Sequence, residues 1–279
     1  MSKETKETQI KVAALQWDIQ RGEVAHNLEK ARGLLEEASE EGCRLCVLPE
    51  MWASSFAGEE AENLLGEVLE AEAELQKISG ELGLCVAGSN YARGEEGMVN
   101  RARLYENGAL LGHYDKVHLF SPLGEDRFFE AGSDTALFET SLGKIGLAIC
   151  YDLRFPEFLR TLFLGGCEVL LVPAQWPEAR ARHFRILAKA RAVENQCFVI
   201  ATNRCGIEPS ILTGQDILFS GNSMVIEPTG EVLVQGGGEE GVLSTEIDLK
   251  DCRILRRAIP VTKDRRDDVY QRLWNKNWE

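Results

Sequence analysis

Three residues that could perform chemistry each stand at the end of an apolar, strand-like run. Glu50 follows the run at 45–48, Lys116 follows a run that ends at Tyr114, and Cys150 closes the run at 144–150. Side chains at the carboxyl ends of strands in an α/β sheet meet at one edge, where such proteins place their sites. A thiol, a carboxylate and an ammonium group brought together there could combine nucleophilic attack with proton transfer. The three segments together therefore favour a thiol-dependent active site.

The segment after Cys150 has a pattern of its own. Phe158, Leu159, Leu162 and Phe163 follow helical spacing, so Cys150 lies at a predicted strand-to-helix junction. Such a junction exposes the residue at the turn, points backbone N–H groups at it and favours the thiolate. The alternative is a buried structural cysteine, the role expected for most of the other cysteines. A carboxylate placed like Glu50 is likewise either held in an ion pair or used as a base.

Three segments together resemble the nitrilase superfamily of carbon–nitrogen hydrolases: Leu48-Pro49-Glu50, Tyr-Asp-Lys-Val-His-Leu at 114–119 and Cys-Tyr-Asp-Leu-Arg-Phe-Pro-Glu at 150–157. The hallmark of that family is a Glu-Lys-Cys triad in this chain order. The resemblance extends from the first predicted strand to the tail at 264–270. It implies an α/β fold, namely a four-layer αββα sandwich of two mixed β-sheets flanked by helices, with subunits that form a homodimer or a larger homo-oligomer. It also implies amide hydrolysis without a metal or an organic cofactor.

The resemblance also implies a role for each site residue. Cys150 is the nucleophile and Glu50 the base, while Lys116 and the backbone N–H of Tyr151 stabilise the oxyanion. A fourth, acidic residue is expected shortly after the lysine. Glu125 matches that position, and its competitor Glu130 matches it less well because it stands directly before Ala-Gly.

The apolar pattern indicates alternating strands and helices. Runs rich in Val, Ile, Leu and Cys predict strands buried on both faces at 10–15, 45–48, 84–88, 144–150, 169–172 and 198–202. Amphipathic spacing predicts helices over 24–38 and 64–82, and a third from Pro177 to about Glu194. Turns at Asn107-Gly108 and at Gly236-Gly237-Gly238 predict hairpins. From the residues alone, the strands form one mixed sheet or two packed sheets with helices outside.

Chain length, net charge and the placement of cysteines indicate the domain organisation, the kinds of partner and the cellular location. We expect residues 1–279 to form a single domain, with a flexible charged tail at 1–7 and a C-terminal extension at 251–279 that resembles family tails crossing to a partner subunit. A net charge of −14 argues against nucleic-acid and anionic-membrane partners. No apolar run reaches the ~20 residues of a membrane span, and the N-terminus lacks an apolar signal core. Thiols placed mostly within apolar runs then favour a reduced, cytoplasmic protein.

Substrate choice depends on residues that follow the nucleophile. Trp176 either forms a wall of the pocket or packs under a loop. The segments 190–196 and 203–206 resemble the omega-amidase branch of the family, which hydrolyses the terminal amides of 2-oxoglutaramate and 2-oxosuccinamate. Those substrates carry a carboxylate that an arginine could bind bidentately, and Arg204 and Arg182 are the candidates.

Several alternatives stay open at this point. Within the same family, the chain would be an amidase for deaminated glutathione or an N-carbamoyl amine hydrolase. Outside catalysis, it would be a silent family member acting as an interaction protein, which the intact Glu50, Lys116 and Cys150 argue against. A papain-like Cys-His pair is a rival mechanism, but His118, two residues from Lys116, is expected to brace a loop instead.

Overall fold

The computed structural model of the protein describes residues 8–276, so the predicted tail at 1–7 lies outside the described residues. Its strands are β1 (Gln9–Gln16), β2 (Leu45–Val47), β3 (Cys85–Arg93), β4 (Met98–Glu106), β5 (Ala109–Asp115), β6 (Ala136–Thr140), β7 (Gly143–Leu147), β8 (Val169–Ala174), β9 (Phe198–Asn203), β10 (Cys205–Pro209), β11 (Asp216–Ser220), β12 (Met224–Ile226), β13 (Val232–Gln235) and β14 (Gly241–Asp248). Its helices are α1 (Val24–Glu40), α2 (Ala61–Leu82), α3 (Pro156–Leu164), α4 (Ala181–Asn195), α5 (Lys250–Ala258), α6 (Val261–Asp264) and α7 (Asp267–Trp274).

Two six-stranded sheets organise these elements. The first has the strand order β14-β1-β2-β3-β4-β5 and the second has the order β13-β12-β9-β8-β7-β6. In each sheet three parallel strands form the centre, β1 to β3 in one and β7 to β9 in the other, and antiparallel strands complete the edges. Parallel neighbours need a crossover connection, and α1 to α4 provide these crossovers.

The two faces of the first sheet belong to different cores. In β1, Val12 and Ala14 belong to the core between the sheets, whereas Ala13 and Leu15 belong to the core under α1 and α2. On the other side of the molecule, α3 and α4 pack against the second sheet. The layers are therefore helix, sheet, sheet and helix, and the predicted αββα sandwich is confirmed. Burial of both faces explains why the strand sequences are continuously apolar rather than alternating.

One of the two predicted hairpins is confirmed and the other is wrong. β4 and β5 pair through the turn at Asn107-Gly108, where both residues have positive φ, as a tight hairpin turn requires. The glycines at 236–238 instead connect β13 of the second sheet to β14 of the first. Gln16 of β1 donates a hydrogen bond to the carbonyl of Gly237 at 2.9 Å, which anchors the crossing. Glycines predict a bend, but they carry no information on which sheet the next strand joins.

The helices follow the predicted amphipathic faces with one shift in position. α1 and α2 cover the predicted ranges and bury the expected side chains. α4 begins at Ala181, later than predicted, because Pro177 is extended (ψ 146°) and opens a short 3-10 turn over Glu178–Arg180. Within residues 8–276, no helix has the length and apolar composition needed to cross a membrane.

Candidate active site

The site forms where strand ends of the two sheets meet. Glu50 follows β2 of the first sheet, and Gln175 follows β8 of the second. The backbone N–H of Gln175 donates to Glu50 Oε2 at 2.9 Å, and its side-chain amide donates to the Glu50 carbonyl at 2.8 Å. The base candidate on one sheet is thus held by the chain of the other sheet.

Lys116 lies between two carboxylates directly after β5. Its Nζ is 2.8 Å from Glu50 Oε1 and 2.8 and 2.7 Å from the two oxygens of Glu125. The Asn100 side-chain amide donates to the same two groups, at 2.8 Å to Glu50 and 3.2 Å to Glu125. All four side chains are buried. Glu130, the competitor of Glu125, instead accepts a hydrogen bond from the backbone N–H of Glu96.

Cys150 occupies a turn with unusual backbone geometry. It is the first residue of a 3-10 helix at Cys150–Arg154 and has φ of +45°, in the left-handed region. That conformation costs a residue with a side chain about 1–2 kcal/mol, so the surrounding structure must hold it in place. The N–H of Tyr151 lies in the first turn of this helix, where N–H groups lack acceptors within the helix. The turn therefore presents both a thiol and a hydrogen-bond donor.

Asp152 is the residue that holds this turn. Its Oδ2 accepts from the Ile149 N–H and from the Tyr114 hydroxyl, both at 2.8 Å. Its Oδ1 accepts from the His118 N–H at 3.2 Å and lies 2.7 Å from His118 Nδ1. The fully buried carboxylate thus ties the cysteine turn to the segment that carries Lys116. His118 braces this connection, as expected, and its ring also stacks on Phe155.

Burial and charge set the protonation of the site. Burial raises the pKa of the Cys150 thiol well above its ordinary value, and the charge of Glu50 adds to this while Lys116 opposes it. Burial also raises the pKa of Glu50, against the Lys116 ammonium and a hydrogen bond from the Cys150 thiol. Burial alone would lower the pKa of Lys116, but Glu125 and Glu50 outweigh it and raise that pKa above its usual range. The resting site therefore pairs a protonated thiol with a hydrogen-bonded carboxylate.

Two recesses meet at Cys150. The larger is a cavity with about 630 Å³ of atom-free space, lined by the triad candidates and by apolar residues such as Phe128 and Ile211. The smaller also reaches Cys150 and is bounded by Tyr151, Arg154, Trp176 and Arg180. We call it the arginine recess. Trp176 is buried and contacts Phe184, so it both forms a wall and packs under its loop.

The comparisons with known proteins identify the family. The sequence profile of the family described as carbon-nitrogen hydrolase matches residues 11–257. This chain belongs to the carbon–nitrogen hydrolase family. It is 37% identical to the 2-oxoglutaramate amidase of Bacillus subtilis, over 93% of this chain and 98% of that protein. It is 33% identical to an omega-amidase of Danio rerio, over 88% and 91% of the two chains. The structure of a carbon-nitrogen hydrolase from Helicobacter pylori G27 superposes with a TM-score of 0.89 at 27% identity, over 96% of this chain and 99% of that chain.

The two arginines predicted to bind the substrate carboxylate in this carbon–nitrogen hydrolase line neither recess. Arg204 is fully buried, and its guanidinium donates to Asp18 at 2.7 Å and to Glu208 at 2.9 Å. A buried guanidinium needs such partners, and they occupy the donors that a substrate would use. Arg182 is exposed near the start of α4 and lines neither recess. The sequence shows that Arg204 follows an apolar run, but not that it is paired with Asp18 and Glu208 beneath the surface.

Three residues at the site were not predicted. Asn100 and Gln175 bind Glu50, and Arg21 lines the larger cavity. The sequence did not single out Asn100, since β4 also contains two arginines and a glutamate. Gln175 stands next to Trp176 in a segment that was singled out for the tryptophan alone. Arg21 lies in the loop between β1 and α1, and its sequence context gives no indication that the loop folds over the site.

The other cysteines lie apart from this chemistry. All eight cysteines of the chain are buried free thiols. Burial raises the pKa of Cys46, and it raises that of Cys252 to about 12. Within residues 8–276, no group of three or more His, Cys, Asp or Glu side chains could hold a metal ion.

Proposed function

We propose that this carbon–nitrogen hydrolase is a thiol-dependent omega-amidase that releases ammonia from the terminal amide of a short 2-oxo acid, such as 2-oxoglutaramate or 2-oxosuccinamate. The observation that carries the proposal is the contact of Lys116 with both Glu50 and Glu125 in a cavity that Cys150 also lines. The relatives from Bacillus subtilis and Danio rerio support the choice of substrate.

In the first half of the proposed reaction, Glu50 removes the proton from Cys150 as Sγ attacks the amide carbon. This transfer leaves the total charge of the buried site unchanged, because a carboxylate is neutralised as a thiolate forms. It therefore avoids the cost of adding a second unpaired negative charge to a buried site. The carbon–nitrogen bond then breaks, and protonated Glu50 returns its proton to the departing nitrogen, which leaves as ammonia.

In the second half, water hydrolyses the thioester. Glu50 takes a proton from the water molecule as its oxygen attacks the thioester carbon. The carbon–sulfur bond breaks, and the thiolate recovers the proton from Glu50. The product carboxylic acid loses its remaining proton to solvent water and leaves as a carboxylate. Each half thus uses the same side chain as base and then as acid.

Lys116 and the Tyr151 N–H are the proposed donors to the oxyanion in both halves. The Lys116 ammonium has three N–H bonds and contacts one oxygen of Glu50 and both oxygens of Glu125, so keeping a single hydrogen bond to each carboxylate lets one N–H turn toward the substrate. Each donor aimed at a developing oxyanion contributes about 3 kcal/mol. Glu125 fixes the position of the ammonium and keeps it charged.

We further propose a single domain and a cytoplasmic homodimer or larger homo-oligomer, without nucleic-acid or membrane partners. The family profile spans both sheets without interruption, which supports one domain. Exposed apolar side chains on the last helices and the segment between them support a subunit contact through residues 251–279: Ile254 is 61% exposed, Ile259 55% and Trp274 71%. The chain's charge of −14 supports the absence of nucleic-acid and membrane partners. Its free thiols support a cytoplasmic location.

The test is ammonia release from 2-oxoglutaramate, with glutamine and an N-carbamoyl amine assayed in parallel and Cys150→Ala as the control. We expect turnover of the oxo-amide that is lost in the variant. Preference for the N-carbamoyl amine would support the triad mechanism but reject 2-oxoglutaramate as the substrate. Turnover that survives in Cys150→Ala would reject the mechanism.

A further inference from the structure

A separate two-stranded sheet forms part of the wall of the active site. Strands β10 and β11 pair with each other and lie outside both six-stranded sheets. We call these strands and the turn between them, at 210–215, the covering hairpin. It contributes Ser210, Ile211, Ile217 and Phe219 to the larger cavity, which Cys150 also lines. The arginine recess is lined by other segments, so the covering hairpin acts on the larger cavity.

The two faces of the covering hairpin have different surroundings. Successive side chains of a strand point to opposite faces. Ile217 and its cross-strand partner Glu208 both line the larger cavity. The neighbouring cross-strand pair, Leu218 and Ile207, is exposed by 49% and 61%. One face of the hairpin therefore belongs to the active site, and the outer face offers positions where a substitution leaves the cavity unchanged.

Charged contacts fix the strands of the covering hairpin to the rest of the protein. Arg21, in the loop after β1, forms an ion pair with Glu208 at 2.5 Å and donates to the carbonyl of Pro209 at 2.6 Å. Arg204, directly before β10, contacts the same carboxylate at 2.9 Å. The Cζ atom of Arg204 also lies 4.6 Å from the centroid of the Phe219 ring. These contacts hold the strands in place as a wall of the cavity.

Apolar contacts at two glycines hold the turn of the covering hairpin. A Cβ atom placed on Gly58 would lie 3.4 Å from Ile211 Cδ1, and one placed on Gly124 would lie 3.0 Å from Leu212 Cδ2. Both glycines have positive φ, which a residue with a side chain adopts only at a cost. Gly124 directly precedes Glu125. The turn therefore closes onto the loop that positions this carboxylate of the site.

The lining of the larger cavity determines which part of a substrate it receives. Apart from the polar groups of the site and of the hairpin, its walls are mainly aromatic and aliphatic side chains, among them Phe56, Leu123, Phe128 and Phe129. Such walls favour a carbon chain over a polar group. A chain that reaches Ile211 or Ile217 meets a wall fixed by ion pairs, and overfilling a packed wall is unfavourable. The cavity is therefore suited to a short apolar chain.

We propose that Ile211 and Ile217 are specificity-determining residues, which set an upper limit on the length of the carbon chain in an amide bound at Cys150. This assignment rests on the thiol mechanism of the proposed function. It deepens that function by giving a physical reason why the preferred amides are short: the covering hairpin closes the cavity beyond the first few carbon atoms.

The test measures alkylation of Cys150 by two reagents of different length, iodoacetamide and N-butyl iodoacetamide, followed by mass spectrometry of the Cys150 peptide. The rate ratio of the long to the short reagent should rise about tenfold or more in Ile211→Ala and in Ile217→Ala, and should fall in Ile217→Phe, because one methylene group in an apolar pocket changes selectivity by about tenfold or more. Leu218→Ala is the matched control, since Leu218 lies on the outer face of the same strand. All four substitutions lie outside the two main sheets, so the variants should fold, and their Tm values check this.

The possible outcomes separate this proposal from the proposed function, because alkylation needs no turnover. A raised ratio in a protein that does not hydrolyse 2-oxoglutaramate supports the role of the hairpin and rejects only the proposed substrate. Equal rates of the two reagents in the parent, an unchanged ratio in both alanine variants, or an equal rise in Leu218→Ala overturns the assignment, whereas hydrolysis of 2-oxoglutaramate would leave the proposed function standing. A parent in which Cys150 reacts with neither reagent rejects the assignment and the thiol mechanism together.

Discussion

Replacing Asp152 by Asn tests whether this carboxylate holds the cysteine turn. The Asp152 carboxylate accepts from two backbone N–H groups, those of Ile149 and His118, and contacts the Tyr114 hydroxyl and the His118 ring. An asparagine keeps one acceptor oxygen and places an NH₂ group against the donors on the other side. The Tyr114 hydroxyl can rotate and the His118 ring can change tautomer, but a backbone N–H cannot adapt. Whichever way the amide turns, one buried N–H loses its acceptor.

The expected loss of stability follows from these contacts. An unsatisfied buried donor costs about 1–3 kcal/mol, and each remaining hydrogen bond weakens by about 1 kcal/mol when its acceptor loses its charge. With two bonds left on the retained oxygen, these contributions add to about 3–5 kcal/mol, and we use the lower end, about 3 kcal/mol, because the Tyr114 hydroxyl and the His118 ring can adapt. At ~2.1 cal/mol/K per residue, the unfolding entropy of 279 residues is about 0.6 kcal/mol/K, so Tm should fall by about 5 °C. We also expect kcat to fall more than tenfold, since a small displacement of Cys150 from Glu50 is costly.

The assay is thermal unfolding of both variants, followed by kcat for the best amide substrate. Glu157→Gln is the matched control, because Glu157 is an exposed carboxylate five residues beyond Asp152 and forms no ion pair within the described part of the chain. The reasoning is refuted if Asp152→Asn melts within about 1 °C of the parent, or if Glu157→Gln loses as much stability.

Three further outcomes follow from the charges of the site. The kcat/KM of the parent should fall at low pH as Glu50 becomes protonated. It should show no decline on the basic side below about pH 9, because the pKa values of Lys116 and Cys150 are raised. A decline of kcat/KM between neutral pH and about pH 9 would contradict this prediction. Asn100→Leu should move the acid limb to higher pH, because the charged form of Glu50 loses a hydrogen bond; a limb that stays in place would rule out this positioning role. Arg204→Met should lower the free energy of unfolding in urea by about 3–5 kcal/mol, since Asp18 and Glu208 lose their shared partner, whereas Arg257→Met on an exposed face should have little effect.

The fold and the convergence of Glu50, Lys116 and Cys150 on one cavity could be predicted because they depend on local pattern and on chain order. Continuous apolar runs mark strands buried on both faces, and Glu50, Lys116 and Cys150 each follow such a run. The crossing at Gly236–Gly238 could not be predicted, since sheet membership depends on contacts more than two hundred residues apart in sequence, such as that of Gln16 with Gly237. Glycine content indicates only that the chain bends there.

Binding of the substrate carboxylate was assigned to Arg204 and Arg182 because a sequence shows the type of a residue but not its partners in the fold. In sequence, Arg204 and Arg154 are both arginines that come after an apolar, strand-like run. In the structure, two acidic side chains surround Arg204, whereas a tryptophan ring lies beside Arg154. That difference arises from packing between distant segments.

Because the site is divided between two sheets, catalysis also depends on the correct assembly of the domain. Glu50 belongs to one half of the sandwich and Cys150 to the other, and Gln175 links the halves through hydrogen bonds to Glu50. A nascent or partly opened chain can contain every helix and strand and still lack a nucleophile next to its base. The thiol thus has no carboxylate beside it until the sandwich has closed, so amide cleavage by the proposed mechanism requires the assembled domain.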